Sequence, residues 1–279
     1  MRIAYQGEPG AYSEAAALKF QEAADVIACA SFEAVFAAVE SGRATHGILP
    51  IENSIGGSIH RNIDLLGEHH LPIVGEVELL VEHCLLALPG ARLETLRRVY
   101  SHPQGLAQCE QFLRRLSGVE IVATYDTAGS AKLIRDGALA DTAAIASARA
   151  GEVFGLDVVA SGIQDYAANI TRFVVIARQD DATLTPDKTT ILFALSNEPG
   201  ALFKALSVFA LRDIDLTKLE SRPVRGRPWE YMFYADVNIA RQDMRCARAV
   251  VHLAEFARWV RTLGSYSRAA EDAPPSSEK

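Results

Sequence analysis

The chain has few cysteines, and nothing in their spacing predicts a metal site or a disulfide framework. Cys29, Cys84, Cys109 and Cys246 lie far apart, without the paired spacing of zinc or redox motifs. We therefore expect free, mostly buried thiols in a reducing compartment. The sequence also lacks a Gly-rich phosphate loop, a His-x-x-x-His pair and a Gly-x-Ser-x-Gly nucleophile elbow. No metal site is predicted.

Long apolar runs and basic segments are missing as well. The longest apolar candidate, residues 79–88, is broken by Glu82 and His83 and is shorter than the roughly 18 residues of a membrane span. We interpret His83 and Cys84 as packing positions. A net charge of −7 argues against nucleic acid as a partner. The N-terminus shows no signal-peptide pattern, so we expect a soluble, cytoplasmic protein that binds neither nucleic acid nor membrane.

What the sequence does contain is an alternation of strand-like and helix-like segments up to about residue 180. A strand candidate at 2–6 is followed by a helix from Ser13, and a second strand at 25–30 is followed by helical periodicity from Phe32. This alternation predicts βαβ units, an α/β fold and a mostly parallel sheet. The length of 279 residues, with 49% hydrophobic residues, suggests about two domains.

The pattern changes after a polar, proline-containing connection at 180–187, where we place a domain boundary. The segments beyond it predict the order βαββαβ, which is the ferredoxin-like arrangement. Their predicted bounds are a strand at 189–195, a helix at 202–210, strands near 216–224 and 231–237, a helix at 247–260 and a strand near 263–266. The last dozen residues are rich in Ala, Pro, Ser and Glu and predict a disordered tail.

The segment Thr171–Phe173 combines a hydroxyl group with a fixed positive charge and opens an apolar run at 174–177. The run predicts a strand that is buried on both faces, as in parallel sheets. A guanidinium at the mouth of such a strand needs a partner, because burying it unpaired is costly. An anionic substrate is one such partner, and a structural ion pair is the other.

Three further polar clusters follow predicted strands and precede predicted helices. They are Glu52-Asn53-Ser54, Ser101-His102-Pro103-Gln104 and Asp126-Thr127-Ala128-Gly129-Ser130. In open α/β sheets, ligands sit beyond the carboxyl ends of strands and against helix N-termini. Each cluster is also explained by capping and turn chemistry. Together they favour a cleft that binds a small carboxylate through hydroxyls, amides and one arginine.

A set of longer motifs spans the chain from residue 2 to about 268. They are Ala4-Tyr5-Gln6-Gly7-Glu8-Pro9-Gly10-Ala11-Tyr12-Ser13, Leu49-Pro50-Ile51-Glu52-Asn53-Ser54 with Gly56-Gly57-Ser58, Ser101-His102-Pro103-Gln104 with Gln108-Cys109, Asp126-Thr127-Ala128-Gly129-Ser130-Ala131, Thr171-Arg172-Phe173 and Glu220-Ser221-Arg222-Pro223. On these motifs the chain resembles prephenate dehydratases with a C-terminal ACT regulatory domain, and equally the related arogenate dehydratases.

This resemblance implies an α/β catalytic domain at 1–180, folded like a two-lobed periplasmic binding protein, followed by a ferredoxin-like ACT domain at 187–268 and the tail at 269–279. Lobe one is expected at about 1–75 and 162–180, and lobe two at about 76–161. The implied reaction removes carbon dioxide and the ring hydroxyl from prephenate to give phenylpyruvate, on the route to phenylalanine. No cofactor is implied, because formation of the aromatic ring supplies the driving force.

The resemblance also assigns roles to individual residues. Thr171 is expected to assist departure of the ring hydroxyl. The other expected catalytic residues are Glu52, Asn53, Ser101 and Gln108. The expected substrate-binding residues are Arg172, Phe173, Ser54, Gly57 and Thr127. A structural ion pair remains the alternative for Arg172.

The ACT domain is expected to bind phenylalanine as a feedback inhibitor. The residues implied for this effector site are Asn197, Gly200, Ala201, Leu202, Glu220 and Ser221. The glycine and the start of the next helix offer free N–H groups to a carboxylate. Because ACT domains pair edge to edge, a homodimer or homotetramer is expected.

Ala11-Tyr12 stands where many bacterial relatives carry Thr-Phe, and the Ala-Tyr form resembles the branch that includes plant arogenate dehydratases. The substrate is therefore prephenate or arogenate. Two non-catalytic alternatives remain, a two-lobed solute-binding protein and an inactive amino-acid sensor.

Overall fold

The protein was analysed as a computed structural model that describes residues 1–179, 185–224 and 226–269. Most of the predicted connection at 180–187 and nearly all of the predicted tail at 269–279 lie outside these residues. The described strands are β1 (Arg2–Gln6), β2 (Asp25–Cys29), β3 (His46–Asn53), β4 (Gly57–Ser58), β5 (Ile73–Leu80), β6 (Cys84–Ala87), β7 (Arg98–Ser101), β8 (Glu120–Ala123), β9 (Thr142–Ala146), β10 (Asp157–Ala160), β11 (Ile170–Ala177), β12 (Lys188–Leu195), β13 (Leu216–Pro223), β14 (Tyr231–Val237) and β15 (Ala257–Tyr266). The described α-helices are α1 (Tyr12–Phe20), α2 (Phe32–Glu40), α3 (His60–Glu68), α4 (Pro103–Gln108), α5 (Glu110–Arg114), α6 (Thr127–Gly137), α7 (Ala148–Phe154), α8 (Ala201–Ala210) and α9 (Met244–Phe256).

The strands form three sheets, one in each of three structural units. The sheet of the first lobe has the order β2-β1-β3-β11-β5, with β4 paired to β3, and that of the second lobe has the order β10-β6-β9-β7-β8. The third sheet has the order β13-β14-β12-β15 and is antiparallel throughout, as expected for βαββαβ. The chain therefore folds as a two-lobed α/β domain followed by a ferredoxin-like domain.

The first-lobe sheet is mixed rather than mostly parallel. Strand β11 is buried, as its apolar run predicts, but it pairs antiparallel with both β3 and β5. The reason is topological, because β11 is the segment that returns from the second lobe and enters the sheet from the opposite end. The predicted burial is confirmed, and the predicted strand direction is wrong.

The change of lobes also comes later than the sequence suggests. Strand β5 remains in the first-lobe sheet as far as Leu80, and the second-lobe sheet begins with Cys84. The crossover therefore lies at 81–83 rather than at 75–76. Glu82 and His83 interrupt the apolar run because the chain passes here from one sheet to the other.

The ferredoxin-like domain uses both faces of its sheet. Helices α8 and α9 cover one face, and a buried core that includes Phe193, Phe209 and Leu253 lies between them and the strands. The other face packs on the first lobe, where Tyr234 and Tyr266 join the same core as residues of β3 and β11. This domain is therefore packed directly against the sheet that contains Thr171.

The last helix and strand of this domain differ from the predicted bounds. Helix α9 ends at Phe256, and β15 begins at Ala257 instead of near 263. Strand β15 pairs with β12 over its length, with Ala257 opposite Leu195 and Tyr266 opposite Lys188. Long-range pairing, which sequence periodicity does not report, thus extends the strand into the predicted helix.

Candidate active site

A cavity of about 360 Å³ lies between the two lobes, within the size range of small-molecule sites. Its wall combines residues from β3, β11 and α1 of the first lobe with residues from α4, α6 and the crossover segment near the second lobe. The lining residues are Gln6, Tyr12, Ser13, Phe32, Pro50, Asn53, Ile59, Val81, His83, His102, Gln104, Gly105, Gln108, Tyr125, Asp126, Thr127, Thr171 and Phe173.

Strand register places Thr171 and Asn53 together at the cavity. Thr171 lies directly opposite Asn53 across the β3–β11 pair. The Asn53 side-chain nitrogen Nδ2 lies 2.9 Å from Thr171 Oγ1, to which it donates a hydrogen bond. Phe173 lines the same cavity, two residues along the strand, where side-chain alternation returns to the same face. Both ends of the Thr171–Phe173 segment therefore face the cavity.

Asn53 belongs to a chain of amide side chains that joins the two lobes. Gln108, the last residue of α4, donates from Nε2 to Asn53 Oδ1 at 3.3 Å. Asn169 donates from Nδ2 to Gln108 Oε1 at 2.9 Å and accepts from Asn53 Nδ2 at 2.7 Å. These mutual contacts fix the side-chain orientation of Asn53, and therefore the direction from which it approaches Thr171.

His83 extends this chain on the second-lobe side, although its place in the apolar run predicts only a packing role. Its Nε2 atom lies 2.8 Å from Gln108 Oε1, and its Nδ1 atom lies 2.9 Å from the Tyr12 hydroxyl. Because an amide oxygen only accepts, His83 carries its proton on Nε2. Burial lowers the pKa of His83 despite the opposing Gln108 hydrogen bond, so the ring is held neutral. Its position at the break in an apolar run was the available sequence signal.

The second lobe contributes the ends of two helices. His102 accepts a hydrogen bond from Gln104 N at the start of α4, and Asp126 accepts one from Gly129 N at the start of α6. Burial raises the pKa of Asp126, while its hydrogen bonds to backbone amides oppose that shift. Thr127 follows Asp126 and lines the cavity. Two of the three predicted polar clusters therefore contribute to the cavity wall as capping residues and their neighbours.

Arg172 and Glu52 face the opposite side of the first-lobe sheet. Arg172 lies 2.8 Å from Asp236 Oδ2 and 3.2 Å from Glu76 Oε2, and Glu52 lies 2.8 Å from Lys218 Nζ. Burial alone would lower the pKa of Arg172, but the Asp236 carboxylate raises it above its ordinary value.

The environment of Glu52 bears on its predicted catalytic role. Burial would raise its pKa, but Lys218 and Arg172 together hold the pKa below its ordinary value. Glu52 is thus an ionised carboxylate in an ion-pair cluster, and neither it nor Arg172 lines the cavity. The positive charge of Arg172 is directed at protein carboxylates.

The other predicted residues support the cavity from outside its wall. Ser101 is fully buried and donates to the Ile145 carbonyl oxygen at 2.7 Å, which fixes the end of β7. The Ser54 hydroxyl donates to Ala168 O at 3.0 Å and accepts from Ile170 N at 2.9 Å, which ties the end of β3 to the start of β11. Gly57 has a φ of +77° in the turn into β4, a conformation that favours glycine.

The predicted effector residues fall into two groups. Asn197 is exposed, Gly200 has a φ of +78° before α8, and Ala201 and Leu202 form the first turn of that helix. Ser221 is exposed on β13. Glu220 instead points to the first lobe, where it accepts a hydrogen bond from Ser58 at 2.7 Å and contacts His60 at 3.1 Å. One predicted effector residue is therefore occupied by a contact with the catalytic domain.

The described residues contain neither a cluster of metal ligands nor a membrane-spanning helix. Over 1–179, 185–224 and 226–269, no group of three or more His, Cys, Asp or Glu side chains is arranged to hold a metal ion. Within the same ranges, no helix is both long enough and apolar enough to cross a membrane. All four cysteines are free and buried.

Comparison with known proteins matches this architecture. The prephenate dehydratase family model matches residues 3–181, and the ACT domain model matches residues 189–243. A relative from Arabidopsis thaliana named arogenate dehydratase/prephenate dehydratase 6, chloroplastic, is 52% identical over 95% of this chain and 68% of its own length.

Solved structures agree with these matches. A prephenate dehydratase from Arthrobacter aurescens is 32% identical with a TM-score of 0.87, over 100% of this chain and 95% of that one. A protein described as GqqA, a novel type of quorum quenching acylase, is 38% identical with the same TM-score of 0.87, over 96% of this chain and 98% of that one.

The relatives also correct the expected location. Three relatives from Arabidopsis thaliana, 50–52% identical, are named as chloroplastic proteins, which contradicts the prediction of a cytoplasmic protein. That prediction depended on the lack of a secretory signal pattern, which does not address import into a plastid. The fold, the cavity between the lobes and both domain matches lead to the same conclusion: the chain belongs to the prephenate dehydratase family, lyases that here carry a C-terminal ACT domain.

Proposed function

We propose that the protein converts prephenate to phenylpyruvate, carbon dioxide and water. The observation that carries this proposal is the Thr171 hydroxyl at the cavity wall. The Thr171 oxygen accepts a hydrogen bond from Asn53. The hydroxyl proton of Thr171 has no acceptor among the described residues. A hydroxyl in this arrangement is oriented to donate to a group in the cavity.

The reaction breaks two bonds of the substrate ring. The electron pair of the bond to the ring carboxylate moves into the ring as carbon dioxide forms, and the ring hydroxyl leaves with an added proton as water. Prephenate and one proton thus give phenylpyruvate, carbon dioxide and water. Aromatisation supplies the driving force, so the enzyme has to supply geometry and the proton, without a cofactor.

Thr171 is a weak acid and needs support when negative charge develops on its oxygen. Asn53 Nδ2, 2.9 Å from Thr171 Oγ1, donates a hydrogen bond to that oxygen and stabilises the charge. Gln108 holds Asn53 in place through its own amide. Phe173 and Thr127 complete the proposed contacts with the ring and its polar groups. We assign Arg172 and Glu52 to the domain interface instead of to substrate binding.

Arogenate is a second candidate substrate, favoured by the names of two relatives that are 52% identical to this chain. It differs from prephenate in carrying an ammonium group where prephenate has the side-chain keto group. The proposed chemistry at the ring is the same for both, and arogenate yields phenylalanine directly.

The experiment that tests this function supplies each substrate separately to the purified protein. We expect phenylpyruvate from prephenate, and a higher kcat/KM for phenylalanine formation from arogenate would identify arogenate as the preferred substrate. Acylase activity is measured in parallel because the 38% identical GqqA is described as a quorum quenching acylase. Binding of prephenate and arogenate without product from either would contradict the enzyme assignment and favour a solute-binding protein.

We also propose that phenylalanine binds the ACT domain and inhibits the enzyme. The Arthrobacter aurescens prephenate dehydratase is described in complex with L-Phe. In this chain Asn197 and Ser221 are exposed, and Gly200 precedes α8 without a side-chain cap, which leaves N–H groups for a carboxylate. Glu220 is engaged with Ser58, and we assign it to communication between the domains.

Replacing Ser221 tests this effector site. We expect Ser221→Ala to weaken phenylalanine binding about tenfold, the effect of one lost hydrogen bond to a charged group, while basal turnover is unchanged. Calorimetric titration with phenylalanine measures the affinity, and Ser207→Ala, on α8 of the same domain, is the matched control. An unchanged affinity of Ser221→Ala for phenylalanine would show that Ser221 is not part of the effector site.

We infer that the protein forms a homodimer, or a homotetramer built from such dimers, through the ACT domain. Strand β13 is an edge of the ACT sheet, and its outer backbone groups are available to a second copy. Sedimentation velocity over a range of protein concentrations measures the assembly. A monomer at all concentrations would contradict this inference.

A further inference from the structure

The cavity has an unusual composition for a site that takes an anion. None of the eighteen described residues that line it is lysine or arginine. The buried guanidinium of Arg172, between the cavity residues Thr171 and Phe173, is directed at Asp236 and Glu76 on the far side of the sheet. A substrate carboxylate must therefore be held by hydrogen-bond donors that carry no full charge.

The first turn of α1 supplies such donors at the cavity wall. The N-cap residue Ala11 has no side chain that can cap the helix, and its own N–H donates to Glu8 O at 3.0 Å. The first backbone bond that closes a full helical turn runs from Ala15 N to Ala11 O at 3.1 Å. The backbone N–H groups of the three residues between them, 12–14, have no acceptor within the described part of the chain. Free N–H groups at a helix start favour an anion.

Ser13 provides a second and independent observation. Its side chain lines the cavity and is only 8% exposed, yet its hydroxyl has no hydrogen-bond partner among the described residues. A hydroxyl in this position can donate a hydrogen bond to a group in the cavity. Of the other helices that begin at this cavity, α2, α4 and α6 are capped by Ser31, His102 and Asp126, whereas α3 has no side-chain cap. At the start of α1, both the backbone N–H groups and the Ser13 hydroxyl are therefore without a hydrogen-bond partner among the described residues.

The neighbouring charges leave room for an anion. Glu14, in the same turn, is buried, but it accepts hydrogen bonds from Gly10 N at 2.6 Å and from Arg149 Nε at 2.9 Å. Its charge is therefore compensated within the protein. On the opposite wall, Asp126 accepts a hydrogen bond from Gly129 N at 2.9 Å, so its carboxylate is directed at backbone donors of α6.

We propose that the Ser13 hydroxyl and the free N–H groups of the first turn of α1 bind the side-chain carboxylate of the substrate, the one that the reaction retains. This inference rests on the proposed function. The choice of carboxylate follows from the chemistry, because the ring carboxylate loses its charge when it leaves as carbon dioxide. Strong donors on that group would stabilise the ground state more than the transition state and would slow the reaction.

The test compares two ligands that differ only in the carboxylate. Phenylpyruvate carries it, and phenylacetone has a methyl group in its place. Calorimetric titration of the wild-type protein, Ser13→Ala and Ser13→Thr measures both affinities without requiring turnover. We expect Ser13→Ala to weaken phenylpyruvate about tenfold and to leave phenylacetone unchanged, while Ser13→Thr, which keeps the hydroxyl, retains most of the affinity.

Kinetics with prephenate and arogenate provide the second readout. Because a contact with the retained carboxylate is made in both ground and transition states, Ser13→Ala should raise KM about tenfold and change kcat little. Ser41→Ala, on the surface of the first lobe, is the matched control and should leave both constants unchanged. Unchanged phenylpyruvate affinity in Ser13→Ala, or no binding of phenylpyruvate by the wild type, would overturn the subsite. Binding that depends on Ser13 without any turnover would keep the subsite and contradict the enzyme assignment.

Discussion

Thr171 and Arg172 are neighbours in one strand, but they face different parts of the molecule. Thr171 lines the cavity with Asn53, whereas Arg172 projects through the opposite face of the sheet towards Asp236 of the ACT domain. Alternation of side chains along β11 produces this difference, since successive residues point to opposite faces. The strand that holds the proposed proton donor is therefore also the strand that contacts the regulatory domain.

The two faces differ in their electrostatics. The described cavity wall has uncharged amides and hydroxyls and no lysine or arginine. The interface behind it holds a charge-balanced cluster of three cations and three anions, namely Arg172, Lys188, Lys218, Glu52, Glu76 and Asp236. One face is suited to a reaction that moves charge within a ligand, and the other is suited to hold two domains in one arrangement.

Removing the Thr171 hydroxyl should give the largest effect on the cavity face. We expect Thr171→Ala to lower kcat by a factor on the order of 10²–10⁴, the usual contribution of a positioned acid, while the free energy of unfolding changes little. Steady-state kinetics and urea unfolding measure the two quantities. Thr171→Ser keeps the hydroxyl and should retain most of the activity. A near-normal kcat in Thr171→Ala would show that another group donates the proton.

Removing Arg172 should affect stability instead of substrate binding. Its side chain is 10% exposed, and Arg172→Met leaves Asp236 without its cation. Breaking a buried ion pair in this way costs about 3–5 kcal/mol of unfolding free energy. Urea unfolding measures the loss. For the protein that remains folded, we expect KM to stay within about threefold of wild type, on the order of half a kcal/mol.

A double-mutant cycle separates this interpretation from substrate binding. Combining Arg172→Met with Asp236→Leu leaves Lys188 and Glu76 as a balanced pair 2.8 Å apart. The double variant should therefore lose less stability than the sum of the two single changes. If Arg172→Met were to raise KM at least tenfold without loss of stability, the guanidinium would hold substrate, as the motif resemblance originally implied.

Much of the fold could be predicted from the sequence because local patterns report local structure. The order βαββαβ, the burial of β11 and the helix that begins near Phe32 all follow from periodicity and capping residues. The antiparallel direction of β11 and the early start of β15 at Ala257 could not be predicted. Both features depend on pairing with strands that are distant in sequence, and hydrophobic periodicity does not report which strands pair.

The candidate site divides in the same way. Thr171, Asn53 and Gln108 lie together at the cavity because each lies at one end of a regular element: Asn53 ends β3, Gln108 ends α4, and Thr171 is in the first two residues of β11. Glu52 and Arg172 belong to the same motifs, but side-chain alternation and the docking of the ACT sheet direct them elsewhere. A motif groups residues along the chain, whereas the assignment to a face requires the strand register.

His83 gives a smaller test of the cavity face, because it acts on Thr171 only through Gln108 and Asn53. His83→Phe keeps a ring and removes the Nε2 donor that contacts Gln108 Oε1 at 2.8 Å. Loss of this one hydrogen bond should lower kcat by up to about tenfold. His83→Gln, which keeps an amide donor, should fall between this variant and wild type. Equal kcat in wild type, His83→Phe and His83→Gln would show that the hydrogen bond from His83 to Gln108 does not affect Thr171.

The same residue predicts a pH dependence with a defined sign. Burial places the folded-state pKa of His83 below the ordinary value of 6.5, so between these two pKa values the unfolded chain binds more protons than the folded one. The neutral ring therefore contributes stability that is complete above about pH 6.5 and declines as the pH falls towards the folded-state pKa. Urea unfolding at pH 7.5 and at pH 5.5 should show a smaller difference for His83→Phe than for wild type, with His252→Gln on α9 as the matched control. A difference as large as that of wild type would mean that folding does not lower the pKa of His83 and that the ring takes up a proton in the folded protein as readily as in the unfolded one.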